Sequence, residues 1–329
     1  MRTLNSLMLG TLCVVAVGSA QAASKQLCVF DIMGSNGDIM ALAKDYALVA
    51  KQWGVDIEPK TYTSLDDALA DFEVKKCQGI IADNYATKKY NSFMGTVGAV
   101  GAIHDYELAK KVLIALGSPK LASKLKNKNY EVAGYIPYGL AYIFTKDRSI
   151  NSIETMRNKR FGVLGIDPSQ ARIAKRVGMK PVSMTFDNAA SKFRKGEMDI
   201  IPAPKVVYKP FEVQKIIGEN GGVANYPLAF MSMNLILHKS EFPNTLGQKS
   251  RSWFSKKTPQ MIKIVEKWDA TVPEKVQYGI PEIDRSSYDL LLSQLRKEFI
   301  DNRMYDATMI TLIRHLRCNQ EPTFIECKK

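Results

Sequence analysis

Between Arg157 and Pro204 the hydrophobic period of the chain switches repeatedly between that of a strand and that of a helix, and this stretch constrains the fold more than any other. The apolar run Phe161–Leu164 stops at Gly165. Asp167-Pro168 then opens a helical pattern that ends at Gly178, Lys180–Met184 reads as a second strand, and a second helix leads through Gly196-Glu-Met-Asp199 to a third strand at Asp199–Pro202. Such alternation is the mark of a parallel sheet covered by helices. Ligands of these sheets sit where strand carboxyl ends meet helix amino ends. The Gly165–Ser169 turn is therefore a first candidate site, with Asp167 and Ser169 as its polar groups and Arg172 one helical turn further on.

A similar alternation occupies the amino-terminal part of the chain. Gln26–Met33 reads as a buried strand, and the turn Gly34-Ser-Asn-Gly-Asp38 opens a helix that runs to Trp53. Backbone N–H groups at that helix start can receive a ligand oxygen, although no Gly-Lys-Ser/Thr follows and the turn is not a P-loop. Val55–Tyr62 is the next strand, Ser64 caps a helix to Lys76, and Gly79–Asn84 is a third strand with a polar carboxyl end. Asp31, Asp83 and Asn84 then fall along one sheet edge, close in sequence to Ser35, Asn36 and Tyr85. The same residue types serve as strand-end caps and as ligand contacts, and both readings stay open. A paired-carboxylate catalytic site lacks any accompanying nucleophile or electrophile.

Phe93–Ala102 reads as a packed loop or frayed helix and Tyr106–Leu116 as a helix. Tyr130–Phe144 is a long extended run carrying Tyr130, Tyr135, Tyr138 and Tyr142, interrupted by Pro137 and Gly139. It suits a strand that leaves one lobe for another, and Asn225–His238 suits the return crossing. Two crossings make a hinge, and a hinge between two sheets makes a cleft that closes. Tyr138, on the crossing, and Tyr208, in the second lobe, join the candidate ligand contacts. Thr245–Trp268 and Arg285–Leu316 are amphipathic helices whose Leu and Met stripes pack into the core. The expected architecture is a two-lobed α/β fold, with lobe I built from residues 24–140 and 238–329 and lobe II from 141–237.

The first residues add a location. Arg2, an apolar core from Leu7 to Gly18 and the small-residue pattern Ala20-Gln-Ala22 describe a secretory leader, residues 1–23, cleaved after Ala22 or Ala23. Its apolar run is short for a membrane span, and no later segment has the roughly 20 consecutive apolar residues that a span requires. Leu12 before Cys13 is too bulky for lipid attachment. Four cysteines follow the leader, an even number in an exported chain, which favours disulfides. Cys28 lies in the first strand and Cys77 just before another, while Cys318 and Cys327 bracket a short tail; such bridges are worth about 4 and about 2.5 kcal/mol on the loop-entropy model. With no Cys-x-x-Cys pair and only three histidines, no metal site is expected, and no cofactor either. The formal charge of +13 is scattered rather than gathered into a stripe with interleaved aromatics, so it is read as a solvated shell and not a nucleic-acid surface. An enzyme is not expected: there is no Gly-x-Ser-x-Gly turn, and His104, His238 and His315 lie in apolar-periodic segments suited to packing or surface roles.

Four segments carry a family resemblance: Ile103–Leu113, Ser152–Gly165, Val177–Val182 and Gly196–Asp199. In this order they resemble the TRAP-type (DctP-like) periplasmic solute-binding proteins, and the whole sequence, leader included, is most similar to the AdeT family, whose members are often labelled as parts of RND-type aminoglycoside efflux. The resemblance implies a periplasmic-binding-protein-like (type II) fold with two crossing strands and C-terminal helices, a periplasmic location, and delivery of a small solute to an inner-membrane transporter or efflux component. Aminoglycoside resistance is implied only through that label; a pump must span a membrane, so the chain would act as a soluble accessory. It also implies a carboxylate clamp that this sequence lacks. Gly162 and Ala141 stand where the family carries arginines, and Ala203 stands where it carries an asparagine. Loss of a bidentate arginine fork argues against an ordinary organic-acid ligand, and acidic plus aromatic contacts suit a neutral or cationic solute. The three substitutions equally favour a second reading, a non-transporting periplasmic interaction or accessory protein on the same fold.

Overall fold

The two alternating segments and the two crossing runs meet in a single mixed sheet. The computed structural model describes residues 24–327, so the leader and its two cleavage positions lie outside the described residues. The first segment forms β1 (Lys25–Phe30), α1 (Asp38–Gln52), β2 (Ile57–Tyr62), α2 (Leu65–Glu73) and β3 (Gly79–Asp83), then the short α3 (Asn84–Thr87) and α4 (Ser92–Gly95), and α5 (Tyr106–Leu116). The long β4 (Tyr130–Thr145) and α6 (Ile153–Met156) lead into β5 (Arg160–Leu164), α7 (Pro168–Val177), β6 (Lys180–Met184), α8 (Ala189–Arg194) and β7 (Ile200–Pro204). After α9 (Val213–Ile217) and β8 (Gly222–Ala224), β9 (Ala229–His238) returns, and α10 (Leu246–Asp269), β10 (Gln277–Tyr278), α11 (Glu282–Asp301) and α12 (Ala307–Gln320) complete the chain.

Local chemistry fixes the ends of these elements. Side chains of Ser64, Asp105 and Asp167 accept N–H groups at the starts of α2, α5 and α7, and Ser152 with Thr155 forms a capping box on α6. α7 stops where Gly178 adopts a left-handed conformation. The strand order is β2-β1-β3-β9-β4-β7-β5-β6. β1 pairs in parallel with β2 and β3, and β5 in parallel with β6 and β7. Between these parallel trios lie β9 and β4, antiparallel to each other and to their outer neighbours.

β4 is what makes one sheet of the two that the sequence pattern suggests. It pairs with β9 from Tyr130 to Ala141 and with β7 from Ala141 to Thr145, changing partner at Ala141. Just before that change the register slips between Pro137 and Gly139. Gly139 sits at φ +135°, a conformation that side chains resist. Here the Leu140 N–H donates to Tyr106 Oη at 3.1 Å, and that hydroxyl donates to Asp269 Oδ2 at 2.7 Å, tying α5, β4 and the end of α10 together.

The run Arg285–Leu316 is two helices rather than one. Arg303 takes φ +56° in the break, and Asp306 caps α12 by accepting the N–H groups of Thr308 and Met309. α10 packs along β4, with Phe254 directly over Gly134 and its ring 5.4 Å from that of Tyr46. The adjoining Arg251 guanidinium is buried and donates to Glu131 Oε1 at 2.7 Å and to Val132 O at 2.8 Å.

Both expected disulfides form, Cys28–Cys77 and Cys318–Cys327. The second holds the tail so that Glu326 Oε1 accepts from Arg296 at 2.8 Å. His238 is buried with its ring 4.2 Å from that of Phe72, and His315 is exposed. Removing one partner of a buried ion pair leaves the other charge without compensation. Glu131→Ala is therefore expected to lower stability in urea unfolding by about 3–5 kcal/mol; a loss below about 1 kcal/mol, the worth of an exposed pair, would contradict this account of Arg251.

Candidate functional site

A cavity of about 180 Å³ lies at the junction of the two parallel trios. One wall comes from the carboxyl ends of β1 and β3 and the other from those of β5, β6 and β7, with Tyr138 of the crossing strand between them. The placement follows the rule that such sheets present ligand sites beyond strand carboxyl ends. In the lining Phe30, at the end of β1, meets Phe186, in the turn after β6, with ring centroids 5.7 Å apart.

Six of the eleven residues singled out from sequence line this cavity: Asp31, Asp83, Tyr85, Tyr138, Asp167 and Ser169. The three carboxylates differ in how far their oxygens are already engaged. Asp31 accepts the Met33 N–H at one oxygen and the Met40 N–H at the other, closing the β1–α1 turn. Asp167 caps α7 and accepts the Ser169 hydroxyl, 2.8 and 2.7 Å from its two oxygens. Asp83 accepts the Tyr85 and Ala86 N–H groups at Oδ1, while its buried Oδ2 has no hydrogen-bond partner.

The other five lie outside the cavity lining. Ser35 and Asn36 are exposed on the β1–α1 turn, and Arg172 is exposed on α7. Asn84 is fully buried and accepts the Ser232 N–H at 3.0 Å. That contact belongs to a polar ladder, continued by Ser232, Asn234 and Thr87, which pins α3 to β9. Tyr208 is buried after β7, its hydroxyl without a partner.

Two residues that pattern reading missed complete the polar corner. Tyr305, in the break between α11 and α12, lines the cavity and accepts the Val100 N–H at 3.2 Å. Lys88 stands over the Tyr305 ring with Nζ 4.7 Å from its centroid. Burial pushes the Lys88 ammonium below its ordinary pKa, and the charge of Asp167 holds it up. The signal for Tyr305 was Asp306 as a helix cap, which breaks the long helical run at that point. Most of the remaining lining is apolar, including Met184, Phe193, Met231 and Met233.

The position matched to an arginine in the resemblance shows what has replaced it. A Cβ on Gly162 would lie 2.7 Å from Met198 Sδ and 2.8 Å from Met184 Sδ, so two thioethers occupy the space of a side chain there. Ala141 and Ala203 both line the cavity with methyl groups.

The family model described as solute-binding protein AdeT 1/2 matches residues 47–329. Among curated proteins, probable solute-binding protein AdeT1 of Acinetobacter baumannii is 36% identical over 299 residues, covering 91% of this chain and 98% of that protein. Probable solute-binding protein AdeT2 of the same organism is 31% identical over 234 residues, covering 71% and 98%. The fold is similar to that of a TRAP periplasmic solute binding protein from Haemophilus influenzae with bound L-gulonate, at a TM-score of 0.72 and 12% identity, covering 89% of this chain and 99% of that one.

Within the cavity lining Asp83 is a carboxylate whose charge the surroundings oppose. Burial pushes its carboxyl up to about 6, and the nearby charge of Asp167 acts in the same direction, against the N–H groups of Ala86 and Tyr85. A carboxyl raised in the folded state stabilises the fold most while protonated. Its contribution is complete below the unfolded value of 3.8 and is lost as pH rises through about 6. Asp83→Asn keeps the Oδ1 acceptor and removes the charge. The variant is expected to be more stable than the parent at neutral pH by an amount on the order of 3 kcal/mol, with the excess vanishing at the acid end of that window. Urea unfolding at both ends measures it, and a variant no more stable at neutral pH would refute this electrostatic account.

Proposed function

The chain belongs to the AdeT 1/2 family of solute-binding proteins, and from that premise we propose that it is a periplasmic receptor that closes two lobes over one small solute. The proposed lobes are residues 24–140 with 238–329, and residues 141–237. The cavity between the two parallel trios, lined from both sides and bridged by the Phe30–Phe186 ring contact, is the observation that carries this reading. The proposed contacts are Asp83, Tyr85, Tyr138, Asp167 and Ser169, with Tyr305 completing the polar corner. With no arginine in the lining and an unpartnered Asp83 oxygen, the solute is proposed to be neutral or cationic where it meets this corner.

Closure has a definite energetic requirement. To move a cleft from 1:99 to 99:1 in favour of the closed form, a ligand must favour that form by about 5.5 kcal/mol. A few charge-assisted hydrogen bonds supply this. The receptor would then present the loaded form to an inner-membrane transporter. No helix among the described residues is long and apolar enough to cross a membrane, so a part in efflux would be played as an accessory to a separate membrane protein.

Native mass spectrometry of the protein purified from the periplasm tests the receptor reading. The expected spectrum contains a small adduct that disappears on denaturation. A solute present at about 100 times its dissociation constant should also add about 2.7 kcal/mol of stability. A bare mass together with no stabilisation by any member of a broad solute panel would favour the non-transporting accessory reading, for which the methionine-filled space at Gly162 is the supporting observation.

A further inference from the structure

The walls of the cavity also bear on the class of solute, an inference that rests on the receptor reading. Among the described residues, the charged side chains in the lining are Asp31, Asp83 and Asp167, with no lysine, arginine or histidine beside them. Lys88 is the nearby cation; it acts on Asp167 from outside the lining and stands on the Tyr305 ring. An entering carboxylate would therefore face three carboxyl groups with no fork to receive it.

An ammonium meets the opposite situation. Asp83 offers a buried acceptor oxygen that no donor among the described residues satisfies, and a buried acceptor without a partner leaves a hydrogen bond for a ligand to complete. Tyr85 and Tyr138 line the same region, and ring faces attract cations.

The rest of the solute must be apolar. Met184, Phe193, Met231 and Met233 are among the apolar groups that it would touch, and the Gly162 space is filled by thioethers rather than a polar group. Methionine adapts its shape to the group packed against it. At about 180 Å³ the cavity is slightly larger than the roughly 150 Å³ that accommodates benzene in an engineered apolar core.

We propose that the cavity takes a small amine whose body is one aromatic ring or a branched alkyl group of similar size, with its ammonium on Asp83 and its body against the methionine and phenylalanine wall. Isothermal titration of the exported, disulfide-bonded protein at neutral pH with 2-phenylethylamine and 3-phenylpropanoate tests it. These probes share a ring and a similar tether and differ in the sign of the head group. The amine is expected to bind at least about tenfold more tightly than the carboxylate, and Asp83→Asn to weaken the amine by about tenfold or more, as loss of a charge-assisted contact requires. Because Asp83→Asn is expected to stabilise the fold, weaker binding cannot be put down to unfolding. Tighter binding of the carboxylate, equal amine binding by the variant, or binding of neither probe would overturn the amine assignment. A retained adduct in the native mass spectrum would still uphold the receptor reading in each of those cases.

Discussion

A sixteen-residue strand shared by two sets of partners is the constraint on which the rest of the molecule depends. Hydrogen bonds along β4 commit its first part to β9, the neighbour of the first trio, and its last residues to β7 of the second. Bending is easiest where the ladder is already interrupted, at the slip between Pro137 and Gly139. The Tyr106–Asp269 pair steadies that point from the helical side. Lys205 adds a contact from beyond β7, its Nζ 4.2 Å from the centroid of the Tyr142 ring and bonded to Gln277.

The cavity wall depends equally on the carboxyl-terminal helices. Arg296 donates to the Val100 carbonyl and Arg317 to that of Gly101, and the N–H of Val100 goes to Tyr305. A loop that contributes to the lining is thus fixed by three side chains from the last part of the sequence. Glu326 balances Arg296, and the Cys318–Cys327 bridge keeps the tail where it can do so. Covalent, ionic and packing effects converge on one edge of the pocket.

Much of this architecture was legible in the sequence because it rests on local signals. The strand–helix alternation from Arg160 to Pro204, the caps at Ser64 and Asp167, the stop at Gly178 and the two cysteine pairs each depend on residues close in sequence or on simple counting. Asp83 and Asp167 could be placed at strand and helix ends by the same reasoning. What stayed hidden depends on contacts between distant elements. Nothing near Lys88 or Tyr305 in sequence signals that they stack, and nothing near Gly162 says that Met184 and Met198 close over it. Asn84 reads in sequence as a polar strand end, yet its side-chain carbonyl serves the main chain of β9, more than a hundred residues away.

The thioether plug over Gly162 has a consequence for how this pocket can change over generations. A Cβ at that position would lie within 2.8 Å of both sulfurs, so any larger residue requires the two flexible thioether side chains to swing aside. Substitutions at positions 162, 184 and 198 are therefore coupled through side-chain volume.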